Sequence, residues 1–376
     1  MTMQRFPISM KKQFQQLIGL TLLVAMVSCS SNRNGDTAQD NDTRKQPKKK
    51  ETYKEVTTLS TDEADALHTT GKTLRFRLDW PDTTTIDSIK TYANGQLQQT
   101  LPQADSSLQV STSDLPVGTN TFKFEAFLSN GHKETHYRSF RFKSDIQPRQ
   151  LKCRVEKTYP HDPTAFTQGL FYENGYLYEG TGQRGRSSLR KVELETGEMI
   201  GSLALPAEYF GEGITGFEDK IIQLTWTSRT GFIYDKDDFR LINKVRYPTQ
   251  GWGLTTDGEK LFMSDGTATI YLLSPTFHET GRIKVYDNHG PVKNLNELEY
   301  INGKIYANVY QQSYIISFHP ENGKVLEKID CSHLVPDKFK NNMEYVLNGI
   351  AWDEKNQRMF LTGKHWDKIY QVTLGG

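Results

Sequence analysis

FTQGL (166–170) and FGEGI (210–214) are two versions of one phrase, and the chain repeats it three more times, as QGWGL (250–254), NLNEL (294–298) and VLNGI (346–350). Each phrase is followed by a turn and a second apolar run: YLYEG, KIIQL, KLFMS, KIYAN and RMFLT. Third strands follow in most repeats, such as TIYLL (269–273) and KIYQV (368–372). The starts lie 44, 40, 44 and 52 residues apart. Several short strands per repeat, at this period and with no helical pattern, predict a β-propeller. Residues 151–376 then divide into five blades of about 45 residues, the usual size of a four-stranded blade.

In a propeller the innermost strands line the axis, so matching positions of the repeats face one another. The residue before each Gly/Glu–aliphatic pair is Gln168, Glu212, Trp252, Asn296 or Asn348, and two positions back stand Phe166 and Phe210 in the first two repeats. A second ring comes from the ends of the next strands: Gly182, Trp226, Gly266, Tyr310 and Lys364. Taken singly, each has an ordinary role. Aromatics pack, amides near turns bond the backbone, and a lysine is solvated. Glu212, between two glycines in AEYFGEGIT, would by itself be a surface turn residue. The register changes that reading, because residues diversify at these positions while their neighbours stay alike. Glu212 is the one acidic member of the first ring.

Ahead of the repeats, residues 53–148 alternate with period two. Leu74, Phe76, Leu78 and Trp80 share one face, as do Phe122, Phe124 and Ala126, and Phe140 and Phe142. Asn94-Gly95 and Asn130-Gly131 sit between such runs and predict hairpins. A small immunoglobulin-like β-sandwich is expected there, acting as a spacer or docking module.

The first residues read as an address. Lys11 and Lys12 precede LIGLTLLVAMVS (17–28), an apolar run too short to span a bilayer, so 1–28 is expected to be a signal peptide. MVSC (26–29) resembles a bacterial lipobox, with Met26 where leucine is usual, and implies a lipidated Cys29. Residues 30–52 contain no aromatic or aliphatic side chain apart from Ala38, so 29–52 is expected to be a lipidated flexible tether. The protein is thus expected to be exported and lipid-anchored to the bacterial outer membrane, on its periplasmic or surface face. Cys153 and Cys331 remain, and a disulfide or two buried thiols are both open.

The 46 Lys+Arg balance 45 Asp+Glu, for a formal net charge of +1, and no basic stripe appears, so nucleic acid is not an expected partner. The nine histidines are scattered without metal-ligand spacing. One ring carboxylate among neutral amides does not suit a hard-cation site. The acidic turn DKDDF (235–239) reads as a solvated hairpin. No metal or other cofactor is called for.

HDPTAFTQGL, FGEGIT, the Trp of LTWTS, QGWGL, LNELEYINGKIYANVYQ and LNGIAWDEKNQRMFLTGKHWDKIYQV together resemble the plant-type glutaminyl-peptide cyclotransferases. The resemblance covers essentially all of 151–376, and neither the sandwich nor the tether. It implies a five-bladed propeller that converts N-terminal glutamine of peptides or proteins into pyroglutamate and releases ammonia. The family's active-site pattern falls on Phe166, Gln168, Phe210, Glu212, Trp226, Trp252, Asn296 and Lys364. Tyr310 departs from it, standing where the family usually has Trp. The chemistry assigns catalysis to Glu212 as proton shuttle, to Gln168 and Asn296 as amide donors, and to Lys364, which either keeps Glu212 ionised or meets a backbone carbonyl. Phe166, Phe210, Trp226, Trp252 and Tyr310 are expected to hold the substrate, with an indole N–H of Trp226 or Trp252 as a further donor. A monomer is expected. The competing expectation is a non-enzymatic exported module that captures peptide termini or glycans.

Overall fold

The computed structural model describes residues 53–102 and 106–376. The expected signal peptide, Cys29 and the tether therefore lie outside the described residues. The described residues from Lys54 onward form one compact unit. Among the described residues there is no α-helix, only two short 3-10 turns at Ser332–Leu334 and Asp337–Phe339. No helix among them is long and apolar enough to cross a membrane.

The alternating residues build two facing sheets. One holds Thr58–Ser60, Thr73–Asp79 and Ser107–Ser111; the other orders Leu67–Thr69, Lys133–Lys143, Gly118–Leu128, Ile86–Ala93 and Gln96–Leu101. Leu74, Phe76, Leu78, Phe122, Phe124, Ala126, Phe140 and Phe142 are all buried in one core between them, with Trp80 packed against it. Asn94 and Gly95 both take positive φ, at 50° and 82°, and turn the hairpin between the last two strands.

From Arg149 the chain makes four-stranded antiparallel units. The first runs through Thr167–Glu173, Tyr176–Thr181, Ser188–Glu193 and Met199–Ala204; the second and third begin with Gly211–Phe217 and Leu254–Thr256. The fourth begins with Leu295–Ile301 and ends with Val325–Asp330. A fifth is built from Leu347–Asp353, Arg358–Gly363 and Lys368–Gly375, and its outer strand is Arg149–Pro160, from the start of the region. That strand also pairs in parallel with Val325–Asp330, which fuses the fourth and fifth units into one eight-stranded sheet. The five first strands touch one another in a closed cycle.

The sandwich is seated on the ring beside the fourth unit. Val117 N–H donates to Asn322 O at 3.2 Å and Ser144 N–H to Asp287 O at 3.1 Å. Lys324, nearly buried there, pairs with Asp145 at 2.8 Å and donates to Ser113 O.

Close approach of the inner strands depends on the glycine that stands fourth in most of the repeated phrases. A Cβ on Gly213 would come within 2.5 Å of Trp252 O, and one on Gly253 within 2.0 Å of Asn296 O. The fourth phrase has Glu297 at this position, and its side chain crosses the axis. Oε1 accepts from Leu170 N–H (3.3 Å) and Oε2 from Ile350 N–H (2.9 Å), so Glu297 ties the fourth inner strand to the first and fifth. The expectation of a single carboxylate at the axis is therefore corrected. A second lies one residue deeper, because the position that admits only glycine elsewhere opens on two free backbone donors here. Glu299 continues the pattern with Trp352 N–H and the Thr255 hydroxyl.

Candidate active site

The first-ring residues leave their strands at irregularities in the ladder. Register shifts between the first and second strands fall at Thr167/Gly169, Gly211/Ile214, Leu295/Leu298 and Leu347/Ile350, around Gln168, Glu212, Asn296 and Asn348. A bulge re-aims a side chain out of the pleat, here toward the axis. The second ring is aligned with the first by one repeated bond. Gly182, Trp226, Tyr310 and Lys364 N–H donate to the carbonyls of Phe166, Phe210, Asn294 and Val346, at 2.8–3.0 Å.

These residues enclose a cavity of about 320 Å³ lined by Phe166, Gln168, Gln183, Phe210, Glu212, Trp226, Trp252, Asn296, Tyr310, Glu344 and Lys364. All nine catalytic and substrate-contacting residues singled out from the sequence thus meet at one mouth. Gln183 and Glu344 come from loops outside the repeat register, which gave no signal for them. The wider cavity, about 700 Å³, opens at the opposite ends of the inner strands and contains none of the nine.

The walls are aromatic and interlocked. Phe210 meets Phe166 and Trp226 edge-on at 6.1 and 5.7 Å, and Trp252 meets Tyr310 at 5.7 Å. The two glycines of the second ring are explained by this packing. A Cβ on Gly182 would lie 2.4 Å from the Phe210 ring, and one on Gly266 2.6 Å from Trp252. Both indole N–H groups donate to a single acceptor, Gln250 Oε1, at 2.7 Å from Trp226 and 3.0 Å from Trp252. The expectation that an indole serves as a free donor is corrected accordingly: both are committed to holding the walls.

Below the aromatics, an amide chain leads to the carboxylate. Asn348 Nδ2 donates to Gln168 Oε1 (3.3 Å) and to Thr167 O, and Gln168 Nε2 donates to Glu212 Oε1 (3.1 Å). No donor among the described residues reaches Glu212 Oε2. Asn296 Oδ1 is buried without a hydrogen-bond partner. An unmet buried acceptor is costly in an isolated protein, and Asn296 is one of the residues that line the cavity.

Burial pushes the Glu212 carboxyl well above its ordinary range, and the Lys364 charge opposes that. Burial lowers Lys364 to about 8, against the attraction of Glu212 and then Glu344. Lys364 Nζ lies over the Phe166 and Tyr310 rings, at 4.7 and 5.2 Å. Its influence on Glu212 is through space, and no backbone carbonyl among the described residues accepts from its ammonium. Behind Phe166, His161 bonds Glu179 (3.0 Å) and Trp366 O (2.8 Å), joining the HDP segment to the strand end that carries Lys364. No group of three or more His, Cys, Asp or Glu among the described residues is arranged to hold a metal ion.

The family model for glutamine cyclotransferase matches residues 129–374. The chain belongs to the glutamine cyclotransferase family. Among curated relatives, the glutaminyl-peptide cyclotransferase of Arabidopsis thaliana is 44% identical over 238 residues, 61% of this chain and 73% of the relative. The glutaminyl cyclase of Myxococcus xanthus, a solved structure, is 34% identical with a TM-score of 0.57, over 61% of this chain and 98% of that one. Every residue lining the small cavity falls within the span matched to the glutamine cyclotransferase family.

Proposed function

We propose that the chain is a glutaminyl-peptide cyclotransferase on a five-bladed propeller, acting on peptides or proteins that begin with glutamine, with Glu212 as the proton shuttle and no metal in the reaction. The observation that carries this reading is a buried carboxyl with one open oxygen, beside an unmet amide oxygen, at the floor of an aromatic cavity.

The α-amine of the bound glutamine attacks the carbonyl carbon of its own side-chain amide. A C–N bond forms, the ring closes to a five-membered lactam, and the amide C–N bond breaks to release ammonia. Because the reaction is intramolecular, holding the folded-back conformer supplies much of the acceleration. Phe166, Phe210, Trp252 and Tyr310 would pack on the glutamine methylenes and exclude water. The attacking amine must be neutral, and free α-amines titrate at about 7.7–8.0. Glu212 takes the proton that the attacking nitrogen sheds and returns it to the departing nitrogen. A carboxyl raised by burial suits both halves of that transfer. The Asn296 amide faces the tetrahedral centre, and Gln168, held by Asn348, keeps Glu212 aimed.

The experiment is cyclisation of a Gln-initiated peptide, followed by ammonia release and peptide mass with and without a chelator. Chelator-resistant turnover is expected. A folded protein that binds the peptide and leaves it linear would replace this reading with a capture module.

For the rest of the chain, we read 1–28 as a signal peptide, 29–52 as a lipidated tether, 53–148 as a sandwich spacer and 151–376 as the catalytic domain, anchored at the outer membrane as a monomer. The lipobox-like MVSC and the apolar run before it support the anchor. Cys29→Ser should release the protein from the membrane fraction, and unchanged partition would remove the anchor.

A further inference from the structure

The strand Arg149–Pro160 is where the ring is fastened. Its first residues pair in parallel with Val325–Asp330, from Arg149↔Glu327 to Lys152↔Asp330. Its remainder pairs antiparallel with Lys368–Gly375, Leu374 lying opposite Cys153. One step beyond the last parallel pair stand Cys153 on one side and Cys331 on the other. The two are 2% and 0% exposed and belong to the same apolar cluster, with Ile315, Ile329, Leu334 and Trp366. Neighbouring strands lie about 4.8 Å apart, within the roughly 4.4–6.8 Å between Cα atoms that a disulfide spans. Both side chains enter the same apolar core, where the structure has them as two adjacent free thiols.

We propose that Cys153 and Cys331 form a disulfide that bolts the closing strand to the fourth unit. The surroundings favour the reaction as well as the product. Its neighbour Cys331 holds the Cys153 thiol below the usual thiol range, while Cys153 and then burial push Cys331 well above it. His333 Nε2 lies 3.9 Å from Cys153 Sγ, placed to take its proton. Cys153 is therefore the attacking sulfur. Its thiolate displaces one thiol from the disulfide of a co-reactant, a small-molecule disulfide or a thiol oxidoreductase, to give a mixed disulfide. Cys331 then loses its proton, attacks Cys153 Sγ and expels the second thiol. Two thiols of this chain are oxidised and one external disulfide is reduced to two thiols. Because both sulfurs are buried in the folded ring, the exchange belongs to the moment of closure, when the strand is being seated.

The test uses the full-length protein refolded with oxidised glutathione, then denatured and alkylated without reductant before digestion. The peptides containing Cys153 and Cys331 should appear joined and unalkylated, and separate once a reductant is added. Protein refolded under reducing conditions should melt roughly 5–10 °C below the oxidised protein, as expected for a cross-link closing so long a loop. Cys331→Ser should show the lower Tm with or without reductant. Two fully alkylated thiols after oxidation, or a glutathione adduct on Cys153 with no bridge, would overturn the proposal. The mass measurement is made on the unsubstituted protein, so it stands whether or not the variant folds.

Discussion

Glu212 and Glu297 are neighbours along the axis, both buried, and both pushed up by burial. They differ in what their oxygens hold. Glu297 has each oxygen on a backbone N–H, and these two bonds pull against the burial and the adjacent Glu299. Glu212 has one amide donor and the distant charge of Lys364. A carboxylate whose oxygens are all occupied works as a strut. One left with an open oxygen at a cavity is available for proton transfer. Degree of hydrogen-bond satisfaction, rather than burial or charge, separates structure from chemistry at this axis.

Exchanging the two roles by mutation gives the sharpest check. Glu212→Gln should lower kcat about 10²–10⁴-fold with the fold intact by circular dichroism. Glu297→Gln should instead cost about 1–3 kcal/mol of stability, because an amide NH₂ would face a backbone N–H, with kcat changed only a few-fold. A folded Glu212→Gln enzyme with near-normal turnover, or a stable but inactive Glu297→Gln, would break the comparison.

Lys364 tests the electrostatic half of it. Its charge opposes the upward push on Glu212, so Lys364→Met should move the acidic limb of the kcat/KM profile to higher pH, with about tenfold loss for each unit of displacement on that limb. Stability should respond in the other direction. Lys364 titrates at about 8 in the folded chain and near 10.4 unfolded, so between these values the unfolded state holds the extra proton. Stability contributed by this group therefore rises with pH across that window, and Lys364→Met should lack the rise in a pH series of Tm.

Smaller effects are expected at the walls. Gln250→Leu frees both indoles, so KM should rise several-fold with less change in kcat, together with a shift in tryptophan emission that a remote packing defect would not produce. Tyr310→Trp should alter KM with only modest change in kcat, since it exchanges one aromatic wall for another. A large kcat loss there would place the Tyr310 hydroxyl in the chemistry.

Much of this was legible because repetition supplies an internal alignment. The period-two runs placed Phe76, Phe124 and Phe142 in one core, and the five phrases brought Gln168, Glu212 and Lys364 to one mouth although nearly 200 positions separate them. What stayed hidden did not repeat. Glu297 reads as a substitute for glycine until the donors of Leu170 and Ile350 are seen around it. Glu344 and Gln183 arrive on loops, and one-dimensional register cannot show that Gln250 gathers two indoles. The outer strand of the fifth unit comes from the head of the region, where no phrase marks it.

That borrowed strand governs when the catalytic mouth can exist. Lys368–Gly375 pairs with residues synthesised more than 200 positions earlier, and contacts of such separation are slow to form. Until that last strand emerges and finds its partner, Gln168 and Glu212 can be made, and even locally folded, while Lys364 has no fixed place opposite them. Assembly is thus coupled to this one pairing: a chain interrupted anywhere before Lys368 has the parts of the cavity and no cavity.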